Sequence, residues 1–295
     1  MKFQYFFWLS ILLACAACNS NSTTAQKSTS MAASLDKEVI ESQDVPLITS
    51  DTVLFLPFEK NTIKISIHFP TSGDFNGTLI ALPGWNFPAT QWCDSTALCT
   101  LADSLGYAVI LPEMGKSIYC ETLYPETRND WRRFPTRSWI SEMLLPHLQD
   151  SLALLLPTQS NYVMGLSTGA RGAALLALDH PELFKACALL SGDYDQTKYP
   201  KDYLYKGYYG PQQQFPDRWK DQDNLITSIH LFNVPAYIGH GRLDKIVPIE
   251  HSLDLNNRLI DLKKEVVLHV DEHAEHNYRY WNSEVRSVLH FFQKH

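Results

Sequence analysis

The chain has 295 residues, of which 45% are hydrophobic and 19% charged, with a formal net charge of −7. That apolar fraction supports a packed core and excludes a chain too polar to fold. No basic run or stripe is present, so the sequence carries no footprint for nucleic acid, and the length allows one large domain or two small ones.

In chain order, Lys2 precedes the short apolar run "FQYFFWLSILLACAAC", which ends in small residues. The run is too short for a comfortable membrane span and has the layout of an export signal. The polar stretch "NSNSTTAQKSTS" follows at once and has the composition of a linker. The segment resembles a bacterial lipoprotein signal. The resemblance implies a signal peptide over residues 1–17, lipidation of Cys18, a flexible linker over 18–44, and a protein held by lipid at the cell envelope, periplasmic or on the outer-membrane face. Cys15 is the alternative acceptor, and ordinary secretion with cleavage near Ala17 is the other reading.

Residues 45–295 read as a single globular domain. "TVLFLPF" and "TIKISIHFP" alternate as strands, with Asn61 suited to the turn between them. "GTLIALPGWN" is an apolar run that stops at Pro-Gly. "STALCTLADSLG" is helix-like and closed by Gly106, and "YAVILPEMG" is another buried strand. "WISEMLLPHLQDSLALLL" has helical spacing, with Pro146 forcing a kink or break. "NYVMG" is a strand, and the segment after Ser167 a helix ending near "DHPELF". "KACALLSG" and "VPAYIGHG" are strands, "SLDLNNRLIDL" a helix, "EVVLHV" a strand and "SEVRSVLHFFQKH" a closing amphipathic helix. The stretch Asp193–Leu231 has weak periodicity and reads as loops over the sheet edge. Apolar strands alternating with helices predict an α/β fold: a mostly parallel central sheet, helices on both faces, and an antiparallel N-terminal edge. In an exported protein the four remaining cysteines can form disulfides. Cys93 and Cys99 are near enough to pair and Cys187 reads as a buried strand thiol, but no connectivity among Cys93, Cys99, Cys120 and Cys187 follows from sequence alone.

Gly165-Leu-Ser-Thr-Gly169 fits Gly-x-Ser-x-Gly between a strand and a helix. Ser167 is then either a nucleophile on a strained turn or a helix-capping serine in a non-catalytic domain. A serine hydroxyl needs a base, and the base an orienting acid. "HGRLDKIVP" places Asp244 after one strand, and "EVVLHVDEHAEHNYRYW" places His273 and His276 after the last. All fall at the carboxyl ends of strands, where open α/β sheets keep their sites. Asp193, in "LLSGDYD", is the rival acid.

The segments "ILPEMGKSIY", "GLSTGARGA", "HGRLDKIVP" and "EHNYRYW" give the chain its family likeness. It resembles the α/β-hydrolases, and within them the esterase group that includes esterase D and the mycolyltransferases, with some likeness to dienelactone hydrolases. The resemblance implies an α/β-hydrolase fold and a catalytic triad of Ser167, Asp244 and His276. His276 takes the base because Tyr278 and Trp281 follow it in the family manner. His240 would tighten the turn that aims Asp244, and His273 would lie in a surface loop. The oxyanion would be held by backbone N–H groups of Thr168 and of Trp85, or else Asn86, beside a Pro83-Gly84 pair that stands where the family commonly has His-Gly. Such an enzyme would cleave carboxylic esters, acyl or feruloyl groups on carbohydrate among them, with no metal or organic cofactor. Its partners would be a small-molecule or carbohydrate ester and the membrane, through the lipid anchor. The alternatives are an exported serine peptidase or aminoacyl hydrolase, and a non-catalytic binding lipoprotein on the same scaffold. Trp85, Trp92, Tyr119, Tyr124, Trp131, Trp139, Tyr205, Tyr208 and Trp219 crowd the loops, as core packing or as a stacking cleft. Arg128, Arg132 and Arg133 could clamp a carboxylate or be solvated.

Overall fold

The computed structural model describes residues 51–71 and 75–295, so the expectations for Cys15, Cys18 and the leader lie outside the described residues. Eight strands form one sheet: β1 (Thr52–Phe58), β2 (Asn61–His68), β3 (Gly77–Leu82), β4 (Tyr107–Pro112), β5 (Ser160–Leu166), β6 (Ala186–Leu190), β7 (Ala236–Gly241) and β8 (Val266–Asp271). Their spatial order is β1-β2-β4-β3-β5-β6-β7-β8. β2 pairs antiparallel with both β1 and β4, and every other pair is parallel. This is the expected antiparallel N-terminal edge.

The burial of each strand explains its sequence. β3, β4, β6 and β7 are buried at every residue, as strands covered on both faces must be. β1 and β8 alternate between more and less exposed positions, because each lies at a sheet edge. Two apolar clusters fill the two faces. A third, built on Trp131, Tyr208, Tyr209 and Trp219, sits under the loops beyond the strand ends.

Among the described residues nine α-helices accompany the strands: α1 (Gln91–Asp94), α2 (Leu98–Ser104), α3 (Thr136–Trp139), α4 (Leu145–Leu152), α5 (Thr168–Asp179), α6 (Tyr203–Tyr209), α7 (Pro216–Lys220), α8 (Glu250–Asp261) and α9 (Tyr278–Phe292). Cys93 and Cys99 form a disulfide between α1 and α2; α2 is the helix expected over "STALCTLADSLG", and α1 is a short additional turn before it. Pro146 lies in the first turn of α4 and follows a π-helical turn at Ile140–Leu144. The helix widens just before Pro146, whose nitrogen carries no hydrogen to donate. The closing helix starts at Tyr278 rather than Ser283, because the Asn277 side chain caps it by accepting from the Tyr280 N–H.

Asp193–Leu231 is not a run of loops. It contains α6, α7 and two short 3₁₀ turns. Its Tyr205, Tyr208, Tyr209 and Trp219 pack into the third cluster rather than following one amphipathic face, so periodicity misses them.

β5 and α5 meet at close quarters. A Cβ on Gly165 would stand 2.1 Å from the Gly169 carbonyl oxygen, and one on Gly169 would stand 2.4 Å from the Leu82 oxygen. Neither approach is possible for a side chain, so both positions require glycine. Gly169→Ala should push α5 off β3 and lower stability by about 1–3 kcal/mol, read as a shifted denaturation midpoint.

Candidate active site

The chain crosses from β4 to β5 on the far side of β3, so the loops after β3 and β5 leave a crevice between them. Ser167 sits at the mouth of that crevice, one residue past β5, with φ 54° and ψ −127°. This left-handed backbone is strained for a residue with a Cβ. Its N–H is held by the Leu190 carbonyl at 2.8 Å.

Ser167 occupies the N-cap position of α5, but its hydroxyl makes no capping hydrogen bond. It points at the His276 ring instead, with Oγ and Nε2 2.9 Å apart. On the other side of the ring, Nδ1 lies 2.7 Å from Asp244 Oδ2. The carboxylate is acceptor-only, so Nδ1–H donates to it and Nε2 is left to accept from the serine hydroxyl. The side chain of Asp244 is fully buried and that of His276 nearly so.

Asp244 is held from several sides. Ile246 and Val247 donate their backbone N–H groups to Oδ1 at 2.8 and 2.9 Å. His240, also fully buried, approaches Oδ2 to 3.3 Å. Burial alone would raise this carboxyl, but the His240 and His276 hydrogen bonds outweigh it and hold Asp244 well below the usual carboxylate range. His240 also bonds Ser252 Oγ and the Val247 carbonyl, which ties the β7 loop to α8.

The other expected residues fall as follows. His273 is exposed and away from the serine; its backbone N–H bonds Asp271. Asp193 makes no contact with His276, so the rival acid has no part in this line. Thr168 is the first residue of α5, where helical N–H groups have no intrahelical partner. The Trp85 N–H has no hydrogen-bond partner among the described residues. Asn86 cannot share that role, because its N–H donates to the Gly115 carbonyl. Thr168 and Trp85 both border a cavity of about 300 Å³ that opens at Ser167.

Of the loop aromatics, Trp92, Tyr119, Trp131, Trp139, Tyr205, Tyr208 and Trp219 are buried. The arginines do not form a clamp. Arg128 pairs with Asp130 and lies over Trp131, Arg132 bonds the Tyr124 and Pro125 carbonyls, and Arg133 bonds the Thr62 carbonyl.

Three supporting residues escape sequence reasoning. Tyr119 donates its hydroxyl to the Pro83 carbonyl at 2.8 Å and packs on Gly172, fixing the Pro83-Gly84 turn against α5. Trp281 packs nearly perpendicular to the His276 ring, centroids 5.0 Å apart, and donates Nε1–H to Ser191 Oγ. Arg171 is wholly buried and bonds the Ile118 and Asp223 carbonyls, Gln196 and Tyr209, so it pins the Asp193–Leu231 segment to α5. Arg171, the last residue of "GLSTGAR", is the one sequence hint of such an anchor.

The family model described as the prolyl oligopeptidase family matches residues 152–295, a stretch that contains Ser167, Asp244 and His276. No curated protein sequence matches the chain. Among solved structures the chain is similar to FphF, a fluorophosphonate-binding serine hydrolase of Staphylococcus aureus, with a TM-score of 0.67 and 16% identity over 82% of this chain and 98% of that one. It is similar to an S-formylglutathione hydrolase from Agrobacterium tumefaciens, with a TM-score of 0.67 and 14% identity over 83% and 94%. A ferulic acid esterase gives a TM-score of 0.61 and 15% identity over 83% and 98%. These likenesses give the chain an α/β-hydrolase fold.

The depressed Asp244 has a consequence for acid stability. The stabilisation from its ionised form is complete above the unfolded value near pH 4 and is lost as pH falls further, because the unfolded chain binds that proton first. Asp244→Asn has no such proton to take up. Its thermal midpoint should therefore fall less than that of wild type between about pH 5 and pH 3.

Proposed function

We propose that the protein is a serine hydrolase that cleaves carboxylic esters through Ser167, His276 and Asp244. One observation carries the reading: a helix-capping position whose hydroxyl forgoes the cap and joins a hydrogen-bonded line to a histidine and a buried carboxylate. A structural serine at a helix start would satisfy the free N–H groups beside it.

The chemistry follows from the contacts. Ser167 Oγ attacks the ester carbonyl carbon while its proton passes to His276 Nε2. Asp244, ionised at neutral pH, stabilises the imidazolium that results. The carbonyl oxygen becomes an oxyanion and is received by the N–H groups of Thr168 and Trp85, near the positive end of α5. Collapse breaks the bond to the alcohol oxygen, which leaves with the proton from His276. A water molecule then gives a proton to His276 and attacks the acyl carbon, releasing the carboxylic acid and restoring Ser167. The route calls on no metal or organic cofactor.

Cleavage of an amide by the same residues is a second reading, supported by the match of residues 152–295 to the prolyl oligopeptidase family model. A carbohydrate carrying acyl or feruloyl groups is one substrate that the aromatic cavity wall of Trp85 and Tyr205 would accommodate. We also hold that the protein is exported and anchored through a lipid on Cys18.

A fluorophosphonate probe should label wild type and spare Ser167→Ala, and turnover of aryl acetates should fall at least about 10³-fold in that variant. Absence of label from wild type refutes the hydrolase reading. Faster turnover of aminoacyl-arylamides than of aryl acetates and feruloyl esters favours the peptidase. Separately, Cys18→Ala should move the protein from the membrane fraction to the soluble one; retention on the membrane assigns the anchor to Cys15.

A further inference from the structure

The cavity at Ser167 has a polarity that ester hydrolysis alone does not call for. Two carboxylates line it, Asp193 from the β6 loop and Asp202 at the start of α6. Asp193 is 92% buried by its 8% relative exposure, and its Oδ1 has no hydrogen-bond partner. Neither aspartate forms an ion pair with a lysine, arginine or histidine among the described residues. Arg171, the nearest buried cation, spends its N–H groups on Ile118, Gln196, Tyr209 and Asp223. His251, the basic residue among those that line the cavity, is neutral: burial lowers it to about 4, and its Nδ1 accepts from the Tyr194 N–H.

An unpaired buried carboxylate is costly, and two in one cavity repel each other. Burial pushes Asp193 up to about 7, with Asp202 adding to the rise and Arg171 opposing it. An arriving cation would relieve both effects. The rest of the wall suits a cation as well, since Trp85, Tyr199 and Tyr205 present aromatic rings to the same space.

The position of the cavity says which half of the substrate is charged. Ser167, Thr168 and Trp85 line it, and His276, which hands its proton to the leaving group, does not. The space therefore lies on the acyl side of the serine. We propose that Asp193 and Asp202 form a cation subsite that selects acyl groups bearing a protonated amine, so that the natural substrate is an aminoacyl ester or amide. The direction of the acyl group rests on the hydrolase reading above; the cation site itself does not.

The test separates the two. In Ser167→Ala protein, alaninamide should bind at least tenfold more tightly than propionamide in an NMR titration. The advantage should fall at least fivefold in Asp193→Asn and in Asp202→Asn made on that background. Asp202 Oδ1 accepts the Leu204 and Tyr205 N–H groups, which an asparagine oxygen can also accept, so this second variant carries the test if Asp193→Asn does not fold. In catalytically intact protein, the ratio of kcat/KM for the alanine aryl ester over the propionate aryl ester should drop by the same factor in both variants. Equal binding of the two amides, or an advantage that survives both substitutions, overturns the subsite. Preferential binding of alaninamide with no turnover of either ester keeps the subsite and refutes the hydrolase.

Discussion

The close approach of α5 to the sheet governs the rest of the site. Gly165 and Gly169 let the helix begin within contact of the β3 carbonyls, and that proximity leaves Ser167 only a left-handed backbone. The same geometry lifts the hydroxyl away from the helix N–H groups it would otherwise cap. Those groups stay free for a developing negative charge, and the serine is free for His276. One steric constraint thus separates two hydrogen-bonding functions that an ordinary helix start combines.

The polar line behind the serine is stable because each partner is over-determined. Asp244 has two backbone donors and two histidines around one buried carboxylate, so its charge is paid for locally. His276 is held at both ring nitrogens and braced by Trp281. Asp193 has none of this. The two buried aspartates thus differ: the Asp244 carboxylate is satisfied on both oxygens, and Asp193 keeps an orphan Oδ1.

The sheet was legible in the sequence because buried strands must be continuous in apolar residues, and β3, β4, β6 and β7 are buried throughout. The serine, aspartate and histidine were legible because each lies just past a strand and carries a local motif. What did not show was non-local. Tyr119 meets the Pro83 carbonyl, Trp281 meets Ser191, and Arg171 reaches four elements, contacts that no spacing rule encodes. The helices between Asp193 and Leu231 were missed for a related reason. They are short and wrap an aromatic cluster, so their burial does not repeat every three or four residues. The pairing of Asp193 with Asp202 in one cavity depends on that unread segment.

The indole of Trp281 gives the site a place in time. It sits in α9, and only α9 supplies both the brace for His276 and the bond to Ser191 at the end of β6. A nascent chain that has completed the β5 elbow holds a strained serine with no base beside it. The hydrogen-bonded line is therefore completed late, when α9 docks and Trp281 holds His276 beside Ser167.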